Sequence, residues 1–133
     1  MKKIKSEMLK KFMLFCIVGF LTVIVDLSVF NILFWLKVHF SLSRAGAALS
    51  AITFNFILNR NMTFKAKSKP IIEQYPKHFV VYMAVLITNV IISSAVFWFL
   101  GEGTFNANLA SMVGIVSTIP ISFSGSMFWT FKK

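Results

Sequence analysis

The sequence predicts an all-α integral membrane protein with four transmembrane helices. The 133-residue chain is 57% hydrophobic and has a mean hydropathy of +0.78, whereas a soluble domain is usually about 45–50% apolar. Its apolar residues fall into four windows, each long enough to cross about 30 Å of hydrocarbon as a helix. The predicted spans are residues 12–36, 43–64, 79–100 and 107–131.

The basic residues predict how these spans are oriented. Of the 14 Lys and Arg residues, only Lys37 and Arg44 fall outside three segments: the N-terminus, the end of the second span with the loop after it, and the C-terminus. With four spans, these three segments lie on one side, which is the positive-inside pattern. We therefore expect both termini and residues 65–78 in the cytoplasm, against anionic lipid headgroups. This distribution leaves no folded basic face for nucleic acid.

The first apolar run resembles a signal peptide but is too long to be one. A secretory core has 7–15 apolar residues and is followed by a small-residue cleavage site, and residues 12–36 show neither feature. We interpret this run as a retained first span. Cys16 is the only cysteine, so no disulfide can form within the chain.

The chain repeats itself at an offset of 67 residues. At this offset Phe12 aligns with Phe79, and the Thr-Phe-Lys run that ends at Lys65 aligns with the one that ends at Lys132. Each repeat contains two spans, so we predict two tandem helical hairpins of the same orientation, related by an axis along the membrane normal. The repeats cover about residues 1–66 and 67–133 of a single transmembrane domain.

The connections within each predicted hairpin are short. Residues 37–42 and 101–106 leave no room for an extracellular domain, whereas the segment between the repeats contains the stretch PIIEQYPKHF. We expect that stretch to lie along the membrane interface. His39 and His78 are expected near an interface, as structural or surface residues.

Polar residues recur at helical spacing within the apolar spans. Because hydrocarbon offers no hydrogen-bond partners, we expect their side chains to face other helices. The predicted inward residues are Thr22, Asp26, Asn55, Asn59, Asn89, Ser93, Ser122 and Ser126. Two interpretations stay open: a translocation path along a central seam, or interhelical packing through small residues and hydroxyls.

Asp26 is the acidic residue that falls within a predicted span. A charged Asp at such a depth costs about 2.5–3.5 kcal/mol on insertion scales, so it should be protonated, paired or beside water. It is either a functional site, for a proton or a headgroup, or a neutral acid hydrogen-bonded to Thr22 or Asn89.

Two amides and a guanidinium lie close together at the end of the second span. Asn55 and Asn59 are one helical turn apart, and Arg60 lies about 100° further round the helix. Amide donors beside a guanidinium fork suit a phosphate group, so we predict a phosphate-headgroup site at inner-leaflet depth. The alternative is that Arg60 only extends to the interface.

These residues give the chain a resemblance to the GtrA-like family of small four-span membrane proteins. The shared features are an aromatic residue, a glycine and an embedded aspartate, at Phe15, Gly19 and Asp26. The asparagine-arginine run from Asn55 to Phe64 adds the more specific motif.

The resemblance implies movement of undecaprenyl-phosphate-linked sugars across the bacterial cytoplasmic membrane, for glycosylation of surface polysaccharide. It implies that Asn55, Asn59 and Arg60 contact the lipid phosphate or its sugar, and that Asp26 lies along the path. The second repeat departs from the family pattern, which favours one asymmetric site. Its exit carries only hydroxyls, at Ser122, Ser124 and Ser126.

The sequence contains no nucleotide-binding loop, catalytic triad or metal-ligand cluster, so we expect no enzyme, cofactor or metal site. Two other functions stay open: a proton-coupled drug exporter that uses Asp26, and a non-transporting accessory subunit of a membrane glycosyltransferase. The expected partners are membrane lipids and a polyprenyl-phosphate-linked sugar, with the glycosyltransferase added in the accessory case. A homo-oligomer such as a dimer also stays open.

Overall fold

The structure is a computed structural model that describes residues 1–132, apart from the side chain of Ser41. The elements are α1 (Lys2–Trp35), α2 (Phe40–Leu58), a first π-helical segment (Asn59–Thr63), α3 (Ile71–Leu100), α4 (Thr104–Gly125) and a second π-helical segment (Ser126–Thr130). The prediction of an all-α chain with four helices is confirmed. Lys133, one of the predicted cytoplasmic charges, lies outside the described residues.

The chain divides into two units, Met1–Lys69 and Pro70–Lys132. Each unit contains two helices that pack against each other, α1 with α2 and α3 with α4. Short turns at residues 36–39 and 101–103 join the helices of each pair. We call the end of each unit at this turn the turn end, and the opposite end the basic end.

Backbone conformation shapes these turns and one close helix contact. Lys37 has a left-handed φ of 65° between α1 and α2, while Gly101 and Gly103 have φ values of 89° and 131° between α3 and α4. Glycine takes such values without a clash because it has no Cβ. A Cβ at Gly114 would lie 3.0 Å from Oδ1 of Asn89, so this glycine allows α4 to approach α3 closely.

Three of the described helical stretches are long and apolar enough to cross a membrane, namely Lys2–Trp35, Ile71–Leu100 and Thr104–Thr130. α2 is not among them, because its 19 residues include Arg44, Asn55 and several small polar side chains. That α2 also spans the membrane stays a prediction. Large apolar side chains are widely exposed on the helices, as expected for surfaces that contact lipid.

Two helices begin earlier than the hydropathy windows predict. α1 begins at Lys2, because lysine is a good helix former wherever its charge is solvated. α3 begins at Ile71, so residues 71–79 form the first turns of a continuous helix. That this stretch lies along the membrane interface stays a prediction. Pro76 lies inside this helix, one turn after its start, and it removes the backbone N–H that would bond to the carbonyl of Ile72.

Both units end in a π-helical segment at the same position of the repeat. The backbone N–H of Phe64 donates to the carbonyl of Asn59 (2.9 Å), and that of Phe131 donates to the carbonyl of Ser126 (2.8 Å). The two segments are separated by the 67-residue offset of the sequence repeat. The hydropathy pattern did not predict them. Such segments are rare and occur often at functional sites.

Candidate functional site: a polar ladder, an ion pair and a basic pocket in the first unit

Four hydrogen-bonded side chains connect α1 to α2 and the first π-helical segment. Thr22 Oγ1 donates to the carbonyl of Val18 (2.7 Å) and accepts from Nδ2 of Asn55 (2.9 Å). Nδ2 of Asn59 donates to Oδ1 of Asn55 (2.8 Å), and Oδ1 of Asn59 accepts from Oγ1 of Thr63 (2.8 Å). We call Thr22, Asn55, Asn59 and Thr63 the polar ladder.

The polar ladder satisfies the two amides inside the protein. Asn55 and Asn59 are 1% and 0% exposed, and both the oxygen and the nitrogen of each amide are used within the ladder. An amide buried without such partners would be strongly destabilising. Both amides are therefore buried and bonded within the ladder, and their contact with a lipid phosphate stays a prediction.

Arg60 holds the loop that follows the first π-helical segment. Its Nη2 donates to the carbonyl of Lys69 (3.0 Å), and its own carbonyl accepts from the backbone N–H of Ala66 (2.8 Å). The side chain is half-buried. The structure therefore gives Arg60 a role in fixing residues 64–69.

Asp26 forms an ion pair toward the turn end. Nη2 of Arg44 lies 3.1 Å from Oδ2 of Asp26, and the two side chains are 42% and 23% exposed, respectively. The guanidinium carbon of Arg44 also lies 4.9 Å from the ring centre of Phe30, a favourable cation–π contact. The predicted hydrogen bond between Asp26 and Thr22 is not formed, because the Thr22 hydroxyl donates to Val18.

Sequence reasoning missed Arg44 as the partner of Asp26. It treated Arg44 as a charge near a loop, although α2 begins at Phe40 and already includes it. A guanidinium beside both a carboxylate and an aromatic ring fits the chemistry of arginine better than that of lysine. The signal available in the sequence was antiparallel register: a short turn after Trp35 brings residues before and after it side by side.

A pocket of about 320 Å³ opens at the basic end of the first unit. Its lining comes from α1 and from the chain around the first π-helical segment: Glu7, Lys10, Lys11, Leu14, Met62, Thr63, Phe64 and Lys65. Three lysines against one glutamate leave this lining with two net positive charges. Thr63 also belongs to the polar ladder, so the ladder ends at the pocket wall. We call this cavity the basic pocket.

Two features of the backbone shape the basic pocket. Phe64 packs edge-on against Phe15 with ring centres 6.2 Å apart, which fixes the apolar part of the wall. Lys65 has a left-handed φ of 48°, so the chain turns directly after the π-helical segment. Sequence reasoning counted these lysines as topology signals and did not predict that they line a cavity.

The polar residues predicted in the second unit hydrogen-bond within their own helices. Oγ of Ser93 donates to the carbonyl of Asn89 (2.6 Å), and Oγ of Ser122 donates to the carbonyl of Ile119 (3.1 Å). The Asn89 side chain is half-buried beside Gly114 of α4. These contacts favour packing over an open path for this set of residues within the unit.

Ser126 and Thr130 are the repeat equivalents of Asn59 and Thr63. Both are buried, and within the described part of the chain their hydroxyls have no hydrogen-bond partner. A serine at position 126 is too short to repeat the bond that Asn59 makes to Thr63. The second unit therefore keeps the π-helical backbone without the ladder.

Gln74 and His78 were not predicted as buried residues. They are 1% and 0% exposed, and the His78 ring lies 4.6 Å from that of Tyr82 and 6.0 Å from that of Phe131. The 67-residue offset aligns them with Glu7 and Lys11 of the basic pocket. No signal in the sequence pattern distinguished them as buried, because Glu7 and Lys11 are themselves exposed and half-buried, respectively.

A second cavity lies toward the turn end of the second unit. Its volume is about 230 Å³, and its lining residues are Ser93, Ser94, Phe97, Ala107, Ala110 and Ser111. Ser93 and Ser111 are the repeat equivalents of Asp26 and Arg44. Small neutral side chains thus occupy the positions that form the ion pair in the first unit.

Comparison with protein families identifies the framework that carries these sites. The model of the GtrA/DPMS transmembrane domain matches residues 14–133. The chain belongs to the GtrA/DPMS family. The match takes in all four helices apart from the start of α1, and it confirms the resemblance found in the sequence. No curated protein that was compared with the chain matches it.

Membership of the GtrA/DPMS family makes this a multi-pass membrane protein and implies involvement in polysaccharide synthesis. The family's membrane domain is generally non-catalytic. Among the described residues, no group of three or more His, Cys, Asp or Glu side chains could hold a metal ion.

Proposed function

We propose that this protein moves a polyprenyl-phosphate-linked monosaccharide across the bacterial cytoplasmic membrane. The product would supply glycosylation of cell-surface polysaccharide, in line with the family's involvement in polysaccharide synthesis. The prenyl tail stays in the lipid during such a movement, so only the phosphate and one sugar need polar groups. A narrow polar line then suffices, and a large aqueous cavity is not required.

The observation that carries the proposal is the depth over which the first unit places polar side chains. Lys10 lines the basic pocket, and Asp26, paired with Arg44, lies sixteen residues further along α1. That separation is about 24 Å of helix, most of the roughly 30 Å of hydrocarbon. The polar ladder lies between the two charged groups.

The proposal includes a membrane arrangement. Four spans form two tandem hairpins with both termini in the cytoplasm, as the positive-inside pattern favours. The basic pocket then meets the phosphates of the inner leaflet, and the Asp26–Arg44 pair lies in the outer half of the membrane. A lipid phosphate would leave the lysines and reach Arg44, the cation that pairs with Asp26.

The ion pair disfavours the alternative of a proton-coupled drug exporter. Such a transporter uses an acidic group that is available to a cationic drug, whereas Asp26 lies 3.1 Å from Arg44. A guanidinium in contact with the carboxylate repels a second cation. The accessory-subunit alternative predicts no transport by the isolated protein, which the following experiment measures.

The test is lipid movement in proteoliposomes. Purified protein is reconstituted with a short-chain polyprenyl-phosphate hexose, and sugar that appears on the outside is followed by oxidation with membrane-impermeant periodate. We expect wild-type protein to exceed protein-free vesicles at least tenfold in initial rate. We expect Arg44→Gln to lower that rate at least fivefold, because a phosphate in the outer half loses its cation.

Lys37→Gln is the matched control, since it removes the other positive charge near this turn outside the described ion pair. It should stay within twofold of wild type. Arg44→Lys retains the charge and should recover part of the rate if Arg44→Gln only weakens the phosphate contact. Transport no faster than in empty vesicles, with several different hexoses, would reject the proposal in favour of the accessory role.

A further inference from the structure

We infer that the basic pocket binds a phosphate ester, and that it is the site at which a lipid phosphate is loaded. The inference deepens the proposed function and rests on it for the identity of the ligand. The binding chemistry itself depends only on the pocket. It replaces the predicted cluster of Asn55, Asn59 and Arg60 as the phosphate site of the chain.

The charges of the basic pocket come from two separate parts of the first unit. Lys10 and Lys11 are consecutive residues on α1, and Lys65 follows the first π-helical segment. Lysine ammonium groups bind phosphate as compact charges with three donors each. Cations from two elements around one cavity can surround an anion, whereas lysines along one exposed helix face mainly contact separate headgroups.

The rest of the pocket lining suits a phosphate that carries an apolar tail and a sugar. Leu14, Met62 and Phe64 supply an apolar wall beside the lysines. The Thr63 hydroxyl donates its proton to Asn59 (2.8 Å), so its oxygen keeps acceptor capacity for a sugar hydroxyl. The volume of about 320 Å³ lies at the lower end of the range for small-ligand sites.

The second unit shows that this backbone form alone does not produce the basic pocket. At the equivalent positions it carries Gln74 and His78, both buried, and Lys77, whose Nζ lies 3.5 Å from Oε1 of Glu73. Lys132, the equivalent of Lys65, is retained as an exposed lysine. The same backbone therefore exists with one lysine paired to a glutamate and with His78 buried beside aromatic rings at the position of Lys11. We infer a single phosphate site in the chain, in the first unit.

The experiment measures binding, without transport. Full-length protein in phosphatidylcholine nanodiscs is titrated with geranyl phosphate, inorganic phosphate and geraniol. The test variant is Lys10→Gln/Lys11→Gln/Lys65→Gln. The matched control is Lys2→Gln/Lys3→Gln/Lys5→Gln, which removes the same charge from the start of α1 but outside the pocket.

We expect the pocket variant to bind geranyl phosphate at least tenfold more weakly and the control variant to stay within threefold of wild type. The affinity for geraniol, which lacks the phosphate, should be the same in wild type and in both triple variants. Equal weakening in both triple variants, or no weakening in either, would overturn the inference. Lys65→Gln alone should weaken binding at least threefold, which keeps the test decisive if the triple variant fails to fold.

The three probes distinguish the source of the phosphate. Geranyl phosphate that binds at least tenfold more tightly than inorganic phosphate supports a lipid headgroup, whereas equal affinity overturns the loading role and leaves a site for soluble phosphate. Lysine-dependent binding of geranyl phosphate by a protein that moves no lipid would support the pocket and reject the proposed transport function.

Discussion

At the basic end, the first unit lines an open pocket with Lys10 and Lys11, whereas the second unit has Lys77 and the buried His78 at the equivalent positions. The contrast reverses at the turn end. There the first unit has the Asp26–Arg44 ion pair, and the second unit has a cavity lined in part by Ser93 and Ser111.

This comparison teaches that one backbone plan supports openings at opposite ends. The two units share the order of helix, turn, helix and π-helical exit, so side chains contribute to where each cavity lies. Charged residues line the pocket at the basic end of the first unit, and small neutral residues line the cavity at the turn end of the second. Three experiments test how far this division holds.

The largest effect is expected from Asn59→Leu, which breaks the polar ladder. Asn55 and Thr63 would each lose a partner while buried, so we expect the free energy of unfolding to fall by about 2 kcal/mol. The measurement is reversible unfolding in mixed micelles. Ser126→Ala at the equivalent position is the control, and it should change stability by less than about 0.5 kcal/mol because the Ser126 hydroxyl bonds to no described residue. Similar losses in both units would show that the ladder is not what distinguishes them.

A smaller effect is expected from the ion pair. Asp26→Asn, Arg44→Gln and the double variant form a cycle in which we expect a coupling energy of about 1 kcal/mol. The value stays modest because the Arg44 side chain is 42% exposed. The same unfolding assay measures it. Ser93→Ala/Ser111→Ala with its two single variants is the matched cycle in the second unit and should show no coupling. A coupling energy of zero between Asp26 and Arg44 would show that the ion pair does not stabilise the turn end of the first unit.

The smallest effect on stability is expected from Arg60→Ala. Loss of the hydrogen bond to the Lys69 carbonyl should reduce the free energy of unfolding by about 0.5 kcal/mol. Limited trypsin digestion should cut faster at Lys65 and Lys67, because the loop is less firmly held. Geranyl phosphate affinity should change by less than twofold. A tenfold loss of affinity would indicate that phosphate binds at Arg60 and would contradict binding in the basic pocket.

Hydropathy and the repeat predicted the four helices and the inward face of α2. Lipid-facing helices must be apolar on their outer surface, so polar residues at helical spacing, such as Asn55 and Asn59, could be assigned to the inside from sequence alone. Their burial bears this out. The same reasoning could not show that the amides satisfy each other, since that depends on side-chain rotamers and on the register between α1 and α2.

Other features depend on interactions that the hydropathy pattern does not contain. Arg44 was treated as a loop charge, because its pairing with Asp26 requires a known antiparallel register. The π-helical segments change the hydrogen-bond spacing by one residue over a single turn, too little to alter a hydropathy profile. The positions of Lys10, Lys11 and Lys65 in the sequence predicted a positively charged end of the unit. They could not predict the pocket, because it forms only where α1 meets the chain after the first π-helical segment.

The π-helical exits also bear on the ancestry of the chain. The two exits read Asn-Arg-Asn-Met-Thr and Ser-Met-Phe-Trp-Thr, so they share one backbone form while only the final threonine is the same. A tandem duplication of a gene for one two-helix unit would produce this arrangement: the same backbone exit twice, 67 residues apart, with side chains that are free to differ.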